Sequence, residues 1–182
     1  MKGGINAWEG LVAEGAPEAG MAYFSSAVRP EEMIGLGWLL EEGSRKFYSE
    51  IAGTLRDPEG AALLQELERA EMNHQSSLLK LYKDIPGVTP DSRFPAALIS
   101  KGPSGDIVEG GIPLQDALEW AKGKNLKEIL EFSISLESSA YDLYLKMERK
   151  MESQNAKKVF KVLSSEEKQH LEQLASLLEK KI

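Results

Sequence analysis

Both histidines of the chain follow a glutamate by three positions. Glu71 and His74 lie in ERAEMNHQSS, and Glu167 and His170 lie in SSEEKQHLEQ. Residues at i and i+3 of a helix share a face, so each pair can present a carboxylate oxygen and an imidazole nitrogen to one site. Oxygen and nitrogen ligands without sulfur favour iron or manganese over a structural zinc ion. The spacing therefore predicts metal chemistry.

Two further glutamates extend this pattern to both halves of the chain. Glu41 precedes Glu71 by 30 positions, and Glu137 precedes Glu167 by the same interval. A shift of 96 positions aligns the halves and pairs the following residues: Glu41 with Glu137, Tyr48 with Tyr144, Leu67 with Leu163, Glu71 with Glu167, and His74 with His170. The repeat predicts two related helical hairpins.

The four glutamates are expected to face the interior, because each lies in a largely apolar stripe with helical spacing. Such a stripe normally faces the core. The stripes are Ile34, Glu41 and Tyr48; Leu64, Leu67, Glu71, His74 and Leu78; Leu130, Ser133, Glu137, Ala140 and Tyr144; and Phe160, Leu163, Glu167, His170 and Leu174.

Four clustered carboxylates need compensating charge. Without it they would mostly take up protons, because burial and mutual repulsion disfavour the ionised form. Two divalent ions would balance four carboxylates, and two neutral imidazoles would complete the site. A bundle without metal is the alternative, since a single Glu–His pair at this spacing needs no ion.

The neighbouring polar residues have simpler interpretations. Tyr48 and Tyr144 are either ordinary core aromatics or hydrogen-bond donors to a metal ligand. Arg45 is expected to be exposed or ion-paired, and Glu109, in VEGG, is expected to have no metal role. The remaining glutamates near the motifs are expected on solvated faces: Glu42, Glu66, Glu68, Glu131, Glu166 and Glu172.

Start and stop signals predict four long helices that position these residues. The helices are expected from Pro30, from Pro58 to about Tyr82, from Asn125 to about Met151, and from the turn at 153–155 nearly to the C-terminus. Residues 84–113 are rich in proline, glycine and serine and predict a long connection, followed by a short helix at 114–122. The predicted fold is all-α, a ferritin-like four-helix bundle with a long crossover between its second and third long helices.

Composition narrows the classes of function. The 29 acidic and 22 basic residues give a net charge of −7, so nucleic acid and anionic membranes are not expected partners. Apolar runs are too short for a spanning helix, and no signal peptide is evident, which predicts a soluble, cytoplasmic protein. The absence of cysteine excludes disulfides, thiolate metal sites and a cysteine nucleophile.

The stretch from about Pro30 to the C-terminus resembles the ferritin-like di-iron domain of the rubrerythrin family. The segments that carry the resemblance are LLEEGSRKFY, ERAEMNHQSS, ISLESSAYDLY and SSEEKQHLEQL. The resemblance implies two iron ions, with manganese or mixed metals as alternatives. It implies that Glu41 and Glu137 are terminal ligands, that Glu71 and Glu167 bridge the ions, and that His74 and His170 each complete one site.

Two departures from the rubrerythrin pattern are visible. Members of that family usually carry an extra glutamate three places after the third-helix ligand, and Ala140 stands at that place here. They also carry a cysteine-containing rubredoxin segment that supplies electrons, and this chain has no cysteine. The electron donor is therefore expected to be an external protein or another part of a longer polypeptide.

The N-terminal segment GGINAWEGL, residues 3–11, resembles the end of a rhodanese domain. We therefore divide the chain into a tail with linker, residues 1–29, and the di-iron bundle, residues 30–182. The alternative is a glycine turn and an amphipathic helix that simply precede the bundle. Rhodanese catalysis is excluded because the cysteine nucleophile is absent.

The resemblance implies an oxidoreductase that reduces hydrogen peroxide at a carboxylate-bridged metal pair. Peroxide or dioxygen is the expected small-molecule substrate. The alternatives are a ferroxidase or iron-binding protein, and an interaction module of a rhodanese fusion. The sequence does not determine the oligomeric state, and a homodimer is one alternative.

Overall fold

The computed structural model describes residues 29–87, 94–95 and 105–181. The helices are α1 (Pro30–Thr54), α2 (Pro58–Lys83), α3 (Leu114–Ala121), α4 (Leu126–Lys150) and α5 (Gln154–Lys181), and a 3-10 turn spans Glu109–Gly111. The four predicted long helices and the short helix before the third are all present. Apart from Arg29, the predicted tail lies outside the described residues.

Local signals begin the helices where the sequence predicts. Asp57 caps α2, because its Oδ1 accepts a hydrogen bond of 2.9 Å from the N–H of Gly60. At the start of α4, the N–H of Glu128 donates to Asn125 Oδ1 at 3.0 Å, and the N–H of Asn125 donates to Glu128 Oε2 at 2.9 Å. These caps set the helix starts and thereby the faces on which later residues lie.

The long helices form two hairpins. α1 packs against α2, α4 packs against α5, and α2 also contacts α5. The connections within the hairpins are residues 55–57 and 151–153, whereas the long crossover leads from α2 towards α4 by way of α3. The prediction of an all-α, ferritin-like bundle is confirmed.

The core consists of two apolar clusters with polar residues between them. One cluster includes Leu40, Tyr144 and Phe160, and the other includes Tyr48 and Leu64. Buried glutamates, histidines and serines occupy the middle of the four long helices. Among the residues that the structure describes, no helix has both the length and the apolar character needed to cross a membrane.

Candidate metal centre

All six predicted ligand residues lie in the interior of the bundle. They are Glu41 on α1, Glu71 and His74 on α2, Glu137 on α4, and Glu167 and His170 on α5. The four glutamates are fully buried, and the histidines are 1% and 8% exposed. The prediction that the two Glu–His pairs and their partner glutamates face inward is confirmed.

His74 directs its Nδ1 atom at the carboxylates. Nδ1 lies 3.1 Å from Glu41 Oε2, 3.0 Å from Glu167 Oε1 and 3.3 Å from Glu71 Oε2. The other ring nitrogen, Nε2, lies 3.1 Å from Glu166 Oε2. Glu166 is half exposed, so it is partly solvated as expected, but its contact with His74 was not predicted. Its carboxylate orients the His74 ring from the outside.

His170 repeats this arrangement in the second hairpin. Its Nδ1 lies 3.1 Å from both Glu137 Oε2 and Glu167 Oε2. The rings of His74 and His170 are stacked, with their centroids 5.6 Å apart. The repeat, however, aligns Glu166 of α5 with an alanine of α2, Ala70. The second histidine therefore receives no equivalent outer carboxylate from the repeat.

Ligand atoms form three overlapping groups, and within each group they lie within 4.8 Å of one another. The groups are Glu41, Glu71, His74 and Glu167; Glu137, Glu167 and His170; and Glu71, Glu109 and Glu137. Glu71, Glu137 and Glu167 each belong to two groups. A carboxylate that bridges two ions needs this kind of shared position.

Glu109 lies in the cluster, contrary to the sequence expectation. Its side chain is 1% exposed, and the 3-10 turn that carries it contacts both α1 and α4. The turn contains Gly110 and Gly111 with φ of +82° and +78°, a conformation that favours glycine. The glycine pair in VEGG could have indicated a tight turn at this place. The crossover, however, has no helical period that would show where the side chain of Glu109 points.

The two tyrosines differ in their contacts. The hydroxyl of Tyr48 donates a hydrogen bond of 2.5 Å to Glu137 Oε1. The hydroxyl of Tyr144 is buried, and it forms no hydrogen bond within the described part of the chain. Only Tyr48 therefore occupies the supporting position that the sequence left open for both.

The remaining predictions concern the outer faces of the helices. Arg45 is ion-paired, with its Nε 2.9 Å from Glu42 Oε2. Glu66 and Glu172 are exposed as expected. Glu42, Glu68 and Glu131 are only partly exposed, because each contacts a neighbouring basic side chain.

Burial raises the pKa of several carboxyls in the cluster. For Glu41 burial is the largest cause, and repulsion from Glu71 adds to it. Burial, then repulsion from Glu71 and Glu41, also raises the pKa of Glu109 well above its usual value. Burial raises the pKa of Glu167 to about 7, although attraction to His74 opposes it. In the metal-free protein these acids retain protons above their usual titration range.

Ion pairing dominates at the histidines. Burial lowers the pKa of His170, but its hydrogen bonds with Glu137 and Glu167 outweigh burial and raise it to about 10. Burial likewise lowers the pKa of His74, and attraction to Glu41 and Glu167 outweighs it, so that pKa is also raised. Conversely, burial raises the pKa of Glu137, but hydrogen bonds led by that of His170 lower it overall. Protons thus supply the compensating charge when no cation does.

The donor atoms fit a pair of metal ions. Glu41 Oε1 and both oxygens of Glu71 and of Glu109 are buried and accept no hydrogen bond from the described residues. A buried carboxylate oxygen without a partner is destabilising, and a cation would remove that penalty. Oxygen and imidazole donors suit iron or manganese. The chemistry of the cluster thus agrees with the ions that the resemblance implies.

These features define a class, the ferritin-like bundles with a buried carboxylate and histidine cluster. The Rubrerythrin family model matches residues 128–181, which include nearly all of α4 and α5. This match supports a ferritin-like di-iron carboxylate domain. No curated protein and no solved structure matches the chain.

The comparisons do not support the predicted resemblance of residues 3–11 to a rhodanese domain. That segment also lies outside the described residues.

Proposed function

We propose that this chain is a rubrerythrin-like, non-haem di-iron oxidoreductase that reduces hydrogen peroxide. The observation that carries the proposal is the convergence of four glutamates and two histidines in the core, with one histidine supplied by each hairpin. The family-model match over α4 and α5 supports the same class of site.

The residues divide into two terminal sets and a shared set. Glu41 and His74 would hold one ion, and Glu137 and His170 the other. Glu71 and Glu167 would bridge them, as the resemblance implies, and each belongs to two of the ligand groups. Two ferrous ions, when bound, supply one electron each and Lewis acidity towards the oxygens of peroxide.

A surface hollow provides the path for a small polar substrate. It has a volume of about 400 Å³ and lies between α2 and α5, where His74 and His170 line it together with Arg69, Asn73 and Gln169. Polar groups along this path suit hydrogen peroxide, which is small and forms hydrogen bonds. The hollow is therefore the proposed entry to the metal pair.

Peroxide reduction to two waters consumes two electrons and two protons, so the chain must also manage protons. The hydroxyl of Tyr48 carries a proton, and its oxygen lies 2.5 Å from Oε1 of Glu137, a buried carboxylate of the cluster. Glu166, at the hollow, contacts His74 Nε2 and connects that ring to solvent. An external electron-donor protein would return the two electrons after each turnover.

One observation favours a second candidate, a ferroxidase or iron-binding protein. Glu66 and Glu166 also line the hollow, and with Arg69 as the lining arginine the carboxylates outnumber it, which favours cations. Iron would then enter as a substrate, become oxidised and leave the site.

Stopped-flow oxidation distinguishes the two candidates. Protein loaded anaerobically with two ferrous ions is mixed with hydrogen peroxide or with dioxygen. If the site reduces peroxide, oxidation should be much faster with peroxide, should consume about one peroxide per metal pair, and should leave the iron bound. The reason is that the two electrons of the pair match the reduction of peroxide to water, whereas dioxygen requires four.

Protein with the substitution E172Q is the matched control, because Glu172 is an exposed glutamate of α5. It should oxidise at the same rates as the unmodified chain. Faster oxidation with dioxygen, with iron released as a mineral, would contradict peroxide reduction and support the ferroxidase.

A further inference from the structure

Glu109 is a buried carboxylate with no partner among the described residues. Its side chain is 1% exposed, and neither oxygen accepts a hydrogen bond there. Burying a carboxylate in this way is strongly unfavourable unless a cation accompanies it.

The side chain reaches one particular part of the cluster. An oxygen of Glu109 lies within 4.8 Å of oxygens of both Glu71 and Glu137. The corresponding group around Glu41 and His74 does not include it. Glu109 therefore lies beside Glu71 of the first hairpin and Glu137 of the second, and neither group that contains a histidine includes it.

The backbone around Glu109 is held in place by a compact set of hydrogen bonds. The N–H of Glu109 donates to Ser44 Oγ on α1 at 3.1 Å. The N–H of Val108 donates to the carbonyl of Ile112, and that of Gly111 to the carbonyl of Val108, both at 2.9 Å. These backbone hydrogen bonds hold the turn that directs the Glu109 carboxylate towards the cluster.

Small residues on two helices make room for this segment. A Cβ atom added to Gly43 of α1 would lie 1.9 Å from the carbonyl oxygen of Ile107. On the other side, a Cβ atom added to Gly110 would lie 3.3 Å from Ser139 Oγ of α4. The backbone of the crossover therefore approaches both helices closely at the height of the metal cluster.

We propose that Glu109 is a seventh protein ligand, which binds a metal ion together with Glu71 and Glu137. This inference rests on the proposed two-metal function. It adds a ligand that the two-hairpin repeat does not duplicate, because the shift of 96 positions aligns Glu109 with Ala13. It also gives the crossover a direct role in the metal site.

The test is a titration of the metal-free protein with Co²⁺, which reports both affinity and coordination through its absorption spectrum. Glu109→Gln retains the shape of the side chain but removes the charge. We expect this variant to bind one of two Co²⁺ ions at least about tenfold more weakly, with an altered spectrum, since even outer residues of metal sites change affinity by 10–100-fold. The control E172Q should bind both ions like the unmodified chain.

Circular dichroism shows whether each variant is folded. A folded E109Q that binds two Co²⁺ ions with unchanged affinity and spectrum would overturn the inference and leave the proposed function intact. If E109Q does not fold, Glu109→Asp decides, because it retracts the carboxylate by one methylene, and unchanged binding would again overturn the inference. Failure of the unmodified chain to bind Co²⁺ would instead overturn the two-metal function itself.

Discussion

Tyr48 and Tyr144 are aligned by the internal repeat, but only Tyr48 supports a ligand. Tyr48 donates to Glu137, whereas the hydroxyl of Tyr144 and Glu41 Oε1 are both buried without hydrogen bonds in the described residues. The sequence could show that both rings are in the core, because both lie in apolar stripes. It could not show which hydroxyl reaches a carboxylate. That depends on differences of less than an ångström in how the helices are positioned.

This difference gives a matched pair of substitutions. Tyr48→Phe should lower the unfolding free energy of the metal-free protein by about 1–3 kcal/mol, because it leaves a buried carboxylate oxygen without its donor. Tyr144→Phe should have an effect close to zero, because no hydrogen bond is lost. Urea unfolding of both variants measures the difference. Equal losses of unfolding free energy in the two variants would mean that the Tyr48 hydrogen bond does not contribute to stability.

The burial of the six candidate ligand residues was predictable from the sequence, whereas the position of Glu109 and the contact of Glu166 were not. Glu71, His74 and their counterparts follow a helical period that places them on the buried face of a helix. Glu109 belongs to a segment without a period, so its direction depends on tertiary packing. Glu166 is adjacent to the candidate ligand Glu167, and only the approach of α2 brings it to His74.

At the scale of elements, the helices were predictable because their ends carry caps and prolines and their faces carry apolar stripes. The packing of the crossover against α1 was not predictable in this way. It depends on Gly43, where a side chain would collide with the backbone of Ile107 rather than with a movable side chain. Backbone cannot rotate away, so the position accepts little but glycine.

Gly43→Ala should therefore destabilise the protein, although alanine normally stabilises a helix. We expect a loss of at least about 1–3 kcal/mol, typical of overpacking, together with weaker metal binding as the segment that carries Glu109 moves away. Gly53→Ala is the control on the same helix, because nothing lies within 4 Å of the added atom. It should stabilise by about 0.5–1 kcal/mol. Thermal unfolding and Co²⁺ titration test both effects, and a stabilising Gly43→Ala would contradict the close approach.

At the scale of the whole molecule, two similar hairpins enclose one site with unequal halves. The halves share the Glu–His pairs and the spacing of 96 positions. They differ in the outer carboxylate of His74 and in the tyrosine that donates a hydrogen bond, and Glu109 has no counterpart in the repeat. The sequence repeat could predict the shared frame, and the residues outside the repeat make the surroundings of the two histidines different.

The charge of this shared site makes the stability of the metal-free protein depend on pH. Glu41, Glu109 and Glu167 have raised pKa values, that of Glu167 being about 7 against an ordinary 4.5. His74 and His170 also have raised pKa values, that of His170 being about 10 against an ordinary 6.5. Each of these groups binds its proton more tightly in the folded state, so its contribution to stability is complete at low pH and is lost as pH rises through the folded pKa.

The unfolding free energy of the metal-free protein should therefore fall continuously between about pH 5 and pH 10. Groups with lowered pKa values do not oppose this trend, because a carboxyl such as Glu42, with a pKa of about 2, loses its contribution only in more acidic solution.

Glu167→Gln should flatten the dependence between pH 5 and 7, because it removes a group that titrates there. Bound divalent metal should reverse the trend, since the ligands bind it in their deprotonated forms. Urea unfolding at several pH values, with and without Co²⁺, measures these effects. A metal-free protein that is equally stable at pH 5 and pH 8 would contradict the raised pKa values of the buried acids and imidazoles.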